Sequence, residues 1–303
     1  MFKSLNRFKL RMLRKITFLP PVKYAKYSYE YYTGKKLDLN NPKEFNEKIQ
    51  WYKVFYHPKK LNQLVDKYAV RAYVEDKIGS KYLNEFYGVY NSFSEIHFDK
   101  LPNQFVVKAT HASSYNLIVK DKSTLNKKKV RSLFKKWLST NQYYRTGQEW
   151  AYKDVLPRLL VEKFLKENGQ TSLIDYKFYC FNGVAKFLEI HLDREDDHKR
   201  AFYDLDFKKL PFRNVSLQQS IDKELTKPAT FEEMIALSEK LADKLPYVRV
   251  DFYSIKDKII FGEMTFYPSD GKKDFYPEEY NKSLGDLFDI PNLSMGKNEI
   301  TEI

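Results

Sequence analysis

Residues 248–271, VRVDFYSIKDKIIFGEMTFYPSDG, contain two runs in which polar and apolar side chains alternate. Alternation of this kind, with only a few residues between the runs, predicts two antiparallel strands joined by a tight turn. A turn centred on Asp257 places Asp251 directly opposite Glu263. The Cβ atoms of the two acids then lie about 5 Å apart, a separation at which like charges repel each other.

Two interpretations of this hairpin are compatible with the pattern. In the first, a Mg²⁺ ion bound by the carboxylate oxygens of Asp251 and Glu263 removes the repulsion, as in sites beside phosphate groups. In the second, one carboxylate reaches solvent or pairs with Arg249, which shares the face of Asp251. The same register sets Arg249 opposite Thr265, and the alternation of the second strand puts Phe261 on the face of Glu263.

The segment FVVKATHASSYNLIVKD, residues 105–121, has an apolar strand on each side of a loop of small polar residues. Small residues let backbone N–H groups approach a phosphate, and Lys108 at the end of the first strand adds a positive point charge. The loop contains His111, Ser113 and Ser114 and no glycine. It is a candidate phosphate site, although a lone histidine is more typical of an ordinary structural loop.

A third segment, RLLVEKFL at residues 158–165, is a strand that ends in polar residues. Its backbone groups and acid suit a purine and a ribose, and Glu162 and Lys163 are equally compatible with an ordinary surface. The following run DYKFYCFNG, residues 175–183, ends in an Asn-Gly pair that predicts a hairpin turn.

The order of helical and strand patterns indicates the fold class. Helical periodicity covers roughly residues 41–79, 126–138 and 230–245. The β-rich runs are residues 105–110, 116–120, 159–164, 175–181, 185–192, 201–205, 248–253 and 258–266. Strands that are grouped in hairpins, rather than alternating with helices, predict an α+β fold.

Composition limits the class of protein. The chain has 303 residues, and its 43% hydrophobic and 31% charged residues are typical of a globular protein. Cys180 is the only cysteine, which excludes an intrachain disulfide and a cysteine-based zinc cluster and suits a reducing cytosol. No apolar run reaches the roughly 18–20 residues that span a bilayer, so we expect no membrane-spanning helix. Charged residues interrupt residues 1–19 throughout, so we expect no secretory signal.

Positive charge is concentrated at the N-terminus. Residues 1–36 contain ten Lys/Arg and one acid, a net charge of +9, which leaves 13 − 9 = +4 for the remaining chain. Helical spacing of apolar residues predicts a basic amphipathic helix over residues 1–19. This helix either rests on an anionic membrane, where each Lys or Arg contributes about 1 kcal/mol, or docks on the protein. The first reading places the protein in the cytoplasm at the inner face of the membrane.

The remaining chain shows no basic stripe or motif that indicates nucleic acid.

Taken in chain order, these segments resemble the ATP-grasp superfamily and, within it, the TupA-like ATP-grasp family. The resemblance runs from about Asn41 to Ile290 and also includes FNEKIQW, DKYAVRAYV and HKRAFYDLDFKKLPF. It implies two α+β lobes that clamp ATP, preceded by a helical N-terminal region. The resulting division of the chain is a basic segment 1–40, a helical region 41–103, a first lobe 104–165 and a second lobe 166–303.

The resemblance also implies roles for individual residues. The ATP-binding residues are Lys108, His111, Ser113, Ser114, Glu162, Lys163, Leu165 and Lys177. The Mg²⁺ ligands are Asp251 and Glu263, and the catalytic residues are Arg249 and Lys177, beside the transferred phosphoryl and acyl groups. Two positions depart from the family pattern, since the loop from His111 to Ser114 lacks the usual glycines and Thr265 replaces an Asn that is common in the superfamily.

The activity implied by the resemblance is ATP-dependent carboxylate–amine ligation with Mg²⁺. The substrate carboxylate attacks the γ-phosphate to give an acylphosphate, and an amine then displaces phosphate. The implied acceptor is a uronic acid on a cell-surface glycan or its lipid-linked precursor, and the donor is an amino acid or small amine. One alternative is a glycosyltransferase, whose D-x-D motif would be Asp204 to Asp206. Another is a non-catalytic protein that binds nucleotide or a membrane surface.

Overall fold

The computed structural model describes residues 8, 11–13, 15–16, 18–166, 173–192, 197–256, 258–293 and 299–303. The α-helices are α1 Pro21–Thr33, α2 Phe45–Phe55, α3 Lys60–Val65, α4 Val70–Ile78, α5 Lys127–Leu138, α6 Gln142–Arg145, α7 Phe231–Ala242 and α8 Glu279–Asp286. The strands are β1 Phe86–Tyr90, β2 Phe105–Ala109, β3 Asn116–Val119, β4 Leu159–Lys163, β5 Asp175–Phe181, β6 Val184–Leu192, β7 Lys199–Tyr203, β8 Tyr247–Ile255 and β9 Lys258–Thr265. Helices with two antiparallel sheets confirm the predicted α+β class.

The first sheet has the strand order β1-β4-β2-β3, with every neighbouring pair antiparallel. Strand β1 lies within residues 41–103, the region expected to be helical, and it extends the sheet by pairing with β4. Phe105 and Val107 on β2 pack with Phe134 and Trp137 of α5 in one apolar core. Helix α5 lies there because its apolar residues recur at helical spacing, which leaves its lysines in solvent.

The second sheet has the order β7-β6-β5-β8-β9 and is also antiparallel throughout. Asn182 and Gly183, between β5 and β6, have φ angles of 48° and 79°. Two successive positive φ angles are the backbone of a type I′ turn, which confirms the hairpin predicted from the Asn-Gly pair.

Helices cover the two faces of the second sheet unequally. Phe231 of α7 packs against Phe178 on one face, and α7 buries a continuous apolar surface there. On the opposite face, Phe45 of α2 packs against Phe181 and Tyr247 near one end of the sheet. The other end of this face carries charged side chains, and the candidate site lies there.

Cys180 lies on β5 among the core residues, and it is fully buried. Burial raises the pKa of its thiol to about 12. The thiolate is therefore scarce at neutral pH, and the side chain acts as a small apolar group.

Helix α2 ties the N-terminal region to the rest of the chain. The Glu47 carboxylate accepts a hydrogen bond from the backbone N–H of Glu44 at 3.0 Å, which caps the start of the helix. Farther along, Lys48 Nζ donates to the carbonyl oxygens of Gly285 and Phe288, each at 2.8 Å. These contacts fix α2 between the second sheet and α8.

Most of the basic helix predicted over residues 1–19 falls outside the described residues. Of those described there, Phe8 and residues 11–13 are helical, and Phe8, Met12 and Phe18 are exposed. Within the described part of the chain, no helix combines the length and apolar character that a bilayer crossing requires.

Candidate active site between the two sheets

The carboxylate pair predicted on the β8–β9 hairpin is present. Asp251 lies opposite Glu263 and Arg249 lies opposite Thr265 in the strand pairing, which confirms the predicted register. All four residues stand at the charged end of the second sheet.

The strand pairing near the turn differs from the predicted pairing. Ile255 pairs with Lys258, a register that is shifted by one residue from the register in which Asp251 pairs with Glu263. A β-bulge between Phe261 and Glu263 takes up the difference, with Gly262 as the extra residue. Phe261 therefore pairs with Phe252, and the alternation that would set it beside Glu263 is interrupted. The expected turn residue, Asp257, lies outside the described residues.

Asp251 is paired with two cations. Arg249 donates from Nε to Asp251 Oδ1 at 2.7 Å and from Nη2 to Oδ2 at 2.8 Å, and Lys177 Nζ lies 2.5 Å from Oδ2. Burial alone would raise the pKa of this carboxyl, but Arg249 and Lys177 outweigh it and hold the pKa of Asp251 below its ordinary value. The alternative in which a carboxylate pairs with Arg249 therefore describes Asp251 in this structure.

Glu263 is the more available carboxylate. Its side chain is 42% exposed, and its ion pair with Arg249 Nη2 is long, at 3.8 Å. Within the described ranges, no group of three or more acidic, histidine or cysteine side chains converges as a metal cage. Mg²⁺ needs only one or two protein carboxylates when phosphate and water complete its shell, so these residues fit that ion. Asp251 can contribute an oxygen once a cation now bound to it moves to phosphate.

The first sheet presents a charged cluster of its own to a cleft beside this hairpin. Lys108 Nζ lies 2.6 Å from Glu162 Oε2, and Arg71 Nη1 lies 3.6 Å from Glu162 Oε1. The cleft is lined from both sheets and the segment before them. Its lining residues are Lys67, Arg71, Leu83, Asn84, Lys108, Glu162, Leu165, Tyr253, Phe261 and Gly262.

Lys67 is a cleft residue that the sequence reasoning missed. Its Nζ donates to the carbonyl oxygen of Ala112 at 2.8 Å, in the loop after β2. Burial lowers the pKa of the Lys67 ammonium, opposed by Glu263 of the second sheet and helped by the neighbouring Lys108. Lys67 lines the cleft together with Lys108 and Glu162 of the first sheet.

The sequence did contain a signal for Lys67. Asp66, just before it, accepts hydrogen bonds from the backbone N–H groups of Tyr68 and Ala69 and an ion pair from Arg158 Nη2 at 2.8 Å. An acid that accepts backbone N–H groups where a helix begins is readable in a sequence as a cap. It marks the start of the helix, whereas the direction of the Lys67 side chain depends on its contact with the loop after β2.

The loop after β2 uses its side chains mostly for internal contacts. His111 is buried, its Nε2 lies 3.1 Å from the carbonyl oxygen of Trp137, and burial lowers the pKa of its imidazole. Gln142 Nε2 donates to Ser113 Oγ at 2.8 Å, and Arg145 Nη2 donates to the Ser113 carbonyl at 2.7 Å. The structure thus places the His111 imidazole against α5 rather than among the residues that line the cleft.

Ser114 has a φ of 61°, a left-handed conformation that favours glycine. This is the last position of the four-residue loop in which the resemblance implies glycines. Ser114 thus adopts the left-handed backbone conformation that a glycine would favour at this position.

The segment after β4 divides between the cleft and the surface. Leu165 lines the cleft, whereas the Lys163 ammonium points away from it and lies 2.9 Å from Glu85 at the surface. The Lys163 carbonyl accepts a hydrogen bond from Asn84, a lining residue, at 3.0 Å. Only the backbone of Lys163 is therefore near the candidate nucleotide site.

The D-x-D motif of the alternative activity forms a turn. Asp204 Oδ1 accepts hydrogen bonds from the backbone N–H groups of Asp206 at 3.0 Å and Lys208 at 2.7 Å. The Asp204 carboxylate is thus occupied by its own turn, and Asp206 is exposed beside Lys208. This arrangement gives the glycosyltransferase alternative no observed metal site.

Comparisons with known proteins add a family assignment. A family model described as TupA-like ATPgrasp matches residues 47–289. D-alanine–D-alanine ligase from Helicobacter pylori is 15% identical, with 83% of this chain and 68% of that chain covered and a TM-score of 0.44. The corresponding ligase from Bacillus anthracis is 17% identical, with 73% and 63% covered and a TM-score of 0.39.

Phosphoribosylamine–glycine ligase from Thermotoga maritima is 13% identical, with 70% of this chain and 50% of that chain covered and a TM-score of 0.41. This chain therefore spans less than two thirds of the Thermotoga maritima and Bacillus anthracis proteins. No curated protein sequence matches it.

Proposed function

Because the chain belongs to the TupA-like ATP-grasp family and has the ATP-grasp fold, we propose that it is an ATP-dependent carboxylate–amine ligase. The observation that carries this proposal is the charge in and beside one cleft. Lys67 and Lys108 line the cleft together with Tyr253 and Gly262 of the second sheet. Asp251 and Glu263 lie within two residues of these along β8 and β9, and Lys177 and Arg249 pair with Asp251. Cations beside two carboxylates are the groups that polyphosphate and its divalent cation require.

ATP is proposed to bind along this cleft. Lys108 is paired only with Glu162 among the described residues, so its ammonium can exchange that contact for a phosphate oxygen. Lys67 adds a second cation within reach of the same phosphates. The apolar side chain of Leu165 and the backbone after β4 provide a surface and hydrogen-bonding groups for adenine.

Mg²⁺ is proposed to be held by Glu263 and Asp251, where it would neutralise negative charge on the phosphates. The substrate carboxylate then attacks the γ-phosphorus, the bond to the bridging oxygen breaks, and ADP leaves. Arg249 is proposed to stabilise the developing charge on the acyl and phosphoryl oxygens with its guanidinium. An amine attacks the acyl carbon, phosphate leaves, and the amide forms with loss of the amine proton.

For the acceptor we propose a uronic acid of a cell-surface glycan or its lipid-linked precursor, and for the donor an amino acid or small amine. The family assignment supports both. We also propose that the basic residues 1–19 rest on the anionic inner face of the cytoplasmic membrane, which would bring the cleft near a lipid-linked acceptor.

The decisive experiment measures ADP release and product mass with a uronate, an amine and ATP. A ligase sustains ADP release over many turnovers only when both substrates are present, because the amine is needed to consume the acylphosphate. Its product has the mass of acid plus amine minus one water. Release of UDP from a nucleotide sugar would support the glycosyltransferase alternative. Binding of ATP without turnover across a panel of uronates and amines would instead support a non-catalytic role.

A further inference from the structure

Helix α5 carries a concentrated positive charge. Its sequence, KKKVRSLFKKWL at residues 127–138, contains six Lys/Arg and no acid. The net charge of the chain after residue 36 is only +4, so acids elsewhere conceal this local excess, and no basic stripe was evident there. All six cationic side chains are exposed, namely Lys127, Lys128, Lys129, Arg131, Lys135 and Lys136.

The cations avoid the buried side of the helix. Phe134 and Trp137 are buried in the apolar core of the first sheet. With 3.6 residues per turn, Lys128, Lys135 and Lys136 project opposite to this buried side, and they are here called the outer face of α5. None of the six cations forms an ion pair with a residue that the structure describes. The outer face is therefore a positive surface that no neighbouring acid neutralises within the described part of the chain.

The stability of the helix does not account for the lysines at its start. The N-terminal end of a helix carries a partial positive charge, which disfavours cations and favours acids. Helix α7, which also has twelve residues, follows this rule with Glu232 and Glu233 in its first turn and Lys240 in its last. Helix α5 has lysines at residues 127–129 and no acid in its first turn. A sequence that departs from a local preference in this way indicates a role outside the helix.

The outer face of α5 points away from the cleft. Phe105 and Val107 of β2 pack with the buried side of α5. Side chains alternate along a strand, so Lys108 projects from the opposite face of the same sheet, where it lines the cleft. The first sheet therefore separates the outer face from the place where ATP is proposed to bind.

Printed contacts connect the end of α5 with the end of the basic N-terminal residues. The carbonyl oxygen of Leu19 accepts a hydrogen bond from Gln148 Nε2 at 2.8 Å, in the segment just after α6. Arg145 of α6 lies 4.6 Å from the centre of the Tyr115 ring, and that ring stacks on Trp137 of α5. Residues 1–19 and α5 thus both adjoin α6.

Position and charge favour an anionic membrane over an anionic glycan as the partner of α5. A glycan whose uronate reacts in the cleft would have to pass around the first sheet to reach the outer face, whereas a membrane meets that side of the sheet directly. We propose that the outer face of α5 is a second membrane contact, which binds anionic phospholipid headgroups. This inference rests on the proposed placement of residues 1–19 at the membrane and not on the ligase chemistry.

The contact made by α5 is electrostatic, because the apolar residues of the helix are buried in the protein and do not enter the bilayer. A single signal gives weak, reversible attachment, and stable attachment commonly needs two. Residues 1–19 supply the other signal, with exposed side chains of Phe8, Met12 and Phe18. Loss of either signal should therefore weaken attachment strongly, and the contribution of α5 should disappear at high salt.

The test is cosedimentation with vesicles of phosphatidylcholine that contain about 30% phosphatidylglycerol, and with vesicles of phosphatidylcholine alone. The outer-face variant is Lys128→Gln/Lys135→Gln/Lys136→Gln. The control is Lys186→Gln/Lys240→Gln/Lys244→Gln, which removes the same charge from exposed positions on β6, on α7 and just after α7. At about 100 mM KCl we expect the outer-face variant to lower the affinity for anionic vesicles at least tenfold and the control to lower it less than twofold. At about 500 mM KCl the two variants should not differ.

Equal binding of the outer-face variant and the control to anionic vesicles would overturn the proposal. Weaker binding of the outer-face variant to polygalacturonate, with unchanged vesicle binding, would also overturn it, because the partner would then be a glycan. A truncation that removes residues 1–18 is measured in parallel. Loss of vesicle binding in the truncated protein alone refutes the α5 contact, and loss in the outer-face variant alone supports it without the N-terminal contact. Absence of binding by the unaltered protein refutes both contacts. Circular dichroism on heating verifies that each variant is folded, and none of these measurements requires ATP turnover.

Discussion

Asp251 lies opposite Glu263 because the strand that carries Glu263 contains one extra residue. Without the bulge at Gly262, continued pairing from Ile255 and Lys258 would set Asp251 opposite Gly262 and leave Glu263 one position away. The alignment of the two proposed Mg²⁺ ligands thus depends on a single glycine.

Replacement of Gly262 by alanine is expected to misalign this pair. A Cβ atom at Gly262 would lie 3.0 Å from the carbonyl oxygen of Asp251, which is too close without a shift of backbone. We expect ATP turnover to fall about tenfold or more. Gly34→Ala is the control, because Gly34 is remote from the cleft and, with its φ of 75°, should lose about 1 kcal/mol of stability but no activity. Equal turnover in both variants would show that the bulge does not set the site.

Neutralising Asp251 and neutralising Glu263 are expected to have different effects on the stability of the protein and on its Mg²⁺ dependence. Asp251→Asn leaves the buried Arg249 and Lys177 with only longer ion pairs, to Glu263 at 3.8 Å and to Asp175 at 3.5 Å. We therefore expect a loss of about 3 kcal/mol in the free energy of unfolding. Glu263→Gln should change stability by less than about 0.5 kcal/mol, because its side chain is 42% exposed. It should nevertheless raise the Mg²⁺ concentration for half-maximal ATP turnover at least tenfold. A Mg²⁺ dependence like that of the exposed control Glu224→Gln would remove Glu263 from the metal site.

Substitution of the cleft lysines is expected to weaken ATP binding or turnover, whereas substitution of a lysine on α5 is not. A charge-assisted contact with phosphate contributes about 1.5–3 kcal/mol, so Lys67→Met, Lys108→Met and Lys177→Met should each weaken ATP binding or turnover roughly tenfold or more. Lys128 is exposed on α5, and Lys128→Met should change either quantity by less than about twofold. ATP titrations at one salt concentration compare the four variants. Identical behaviour of all four would mean that the nucleotide does not bind here.

Stability is expected to fall as pH rises because of Glu149. Burial is the main cause that raises the pKa of this carboxyl to about 8, with Asp270 adding to it. The folded state therefore retains a proton that the unfolded state releases above its lower pKa, so stability is lost between about pH 5 and pH 8. Glu149→Gln should remove this loss, and its stability advantage should grow by at most about 1.4 kcal/mol per pH unit in that window. Urea unfolding at several pH values measures the difference, and an advantage that is constant with pH would contradict the assignment.

Membrane attachment is expected to depend on the N-terminal segment. Gln148 Nε2 donates to the carbonyl oxygen of Leu19 at 2.8 Å, so a truncation that removes residues 1–18 preserves this contact. The truncated protein should no longer cosediment with vesicles of anionic phospholipid but should keep its ATP turnover on a water-soluble acceptor. Cosedimentation that persists, or a truncated protein that does not fold, would indicate a helix docked on the body.

Local patterns predicted much of this fold because they depend on neighbouring residues. The alternation in β8 and β9 and the Asn-Gly turn before β6 are readable in the sequence, since side-chain direction and turn type follow from a few adjacent positions. The bulge at Gly262 is not readable in this way. A one-residue insertion in a strand depends on the partner strand. The sequence therefore predicted the pairing of Asp251 with Glu263 correctly, but it predicted the wrong register near the turn, where Ile255 pairs with Lys258.

Long-range contacts explain the remaining differences in the site. The place of Lys67 depends on Asp66 and Arg158, which are far apart in sequence. The burial of His111 depends on the end of α5. Neither contact produces a periodic pattern or a motif in the sequence. The residue types could therefore predict a loop, but they could not predict the direction of its side chains.

The buried thiol of Cys180 has a practical consequence for measurement. Alkylating reagents react with thiolate, and a thiol inside the core with a pKa of about 12 offers almost none near neutral pH. Since the sequence contains no other cysteine, one introduced on an exposed part of the first sheet would be labelled selectively. A fluorophore attached there would report movement between the two sheets when nucleotide is added, without removal of any native residue from the core.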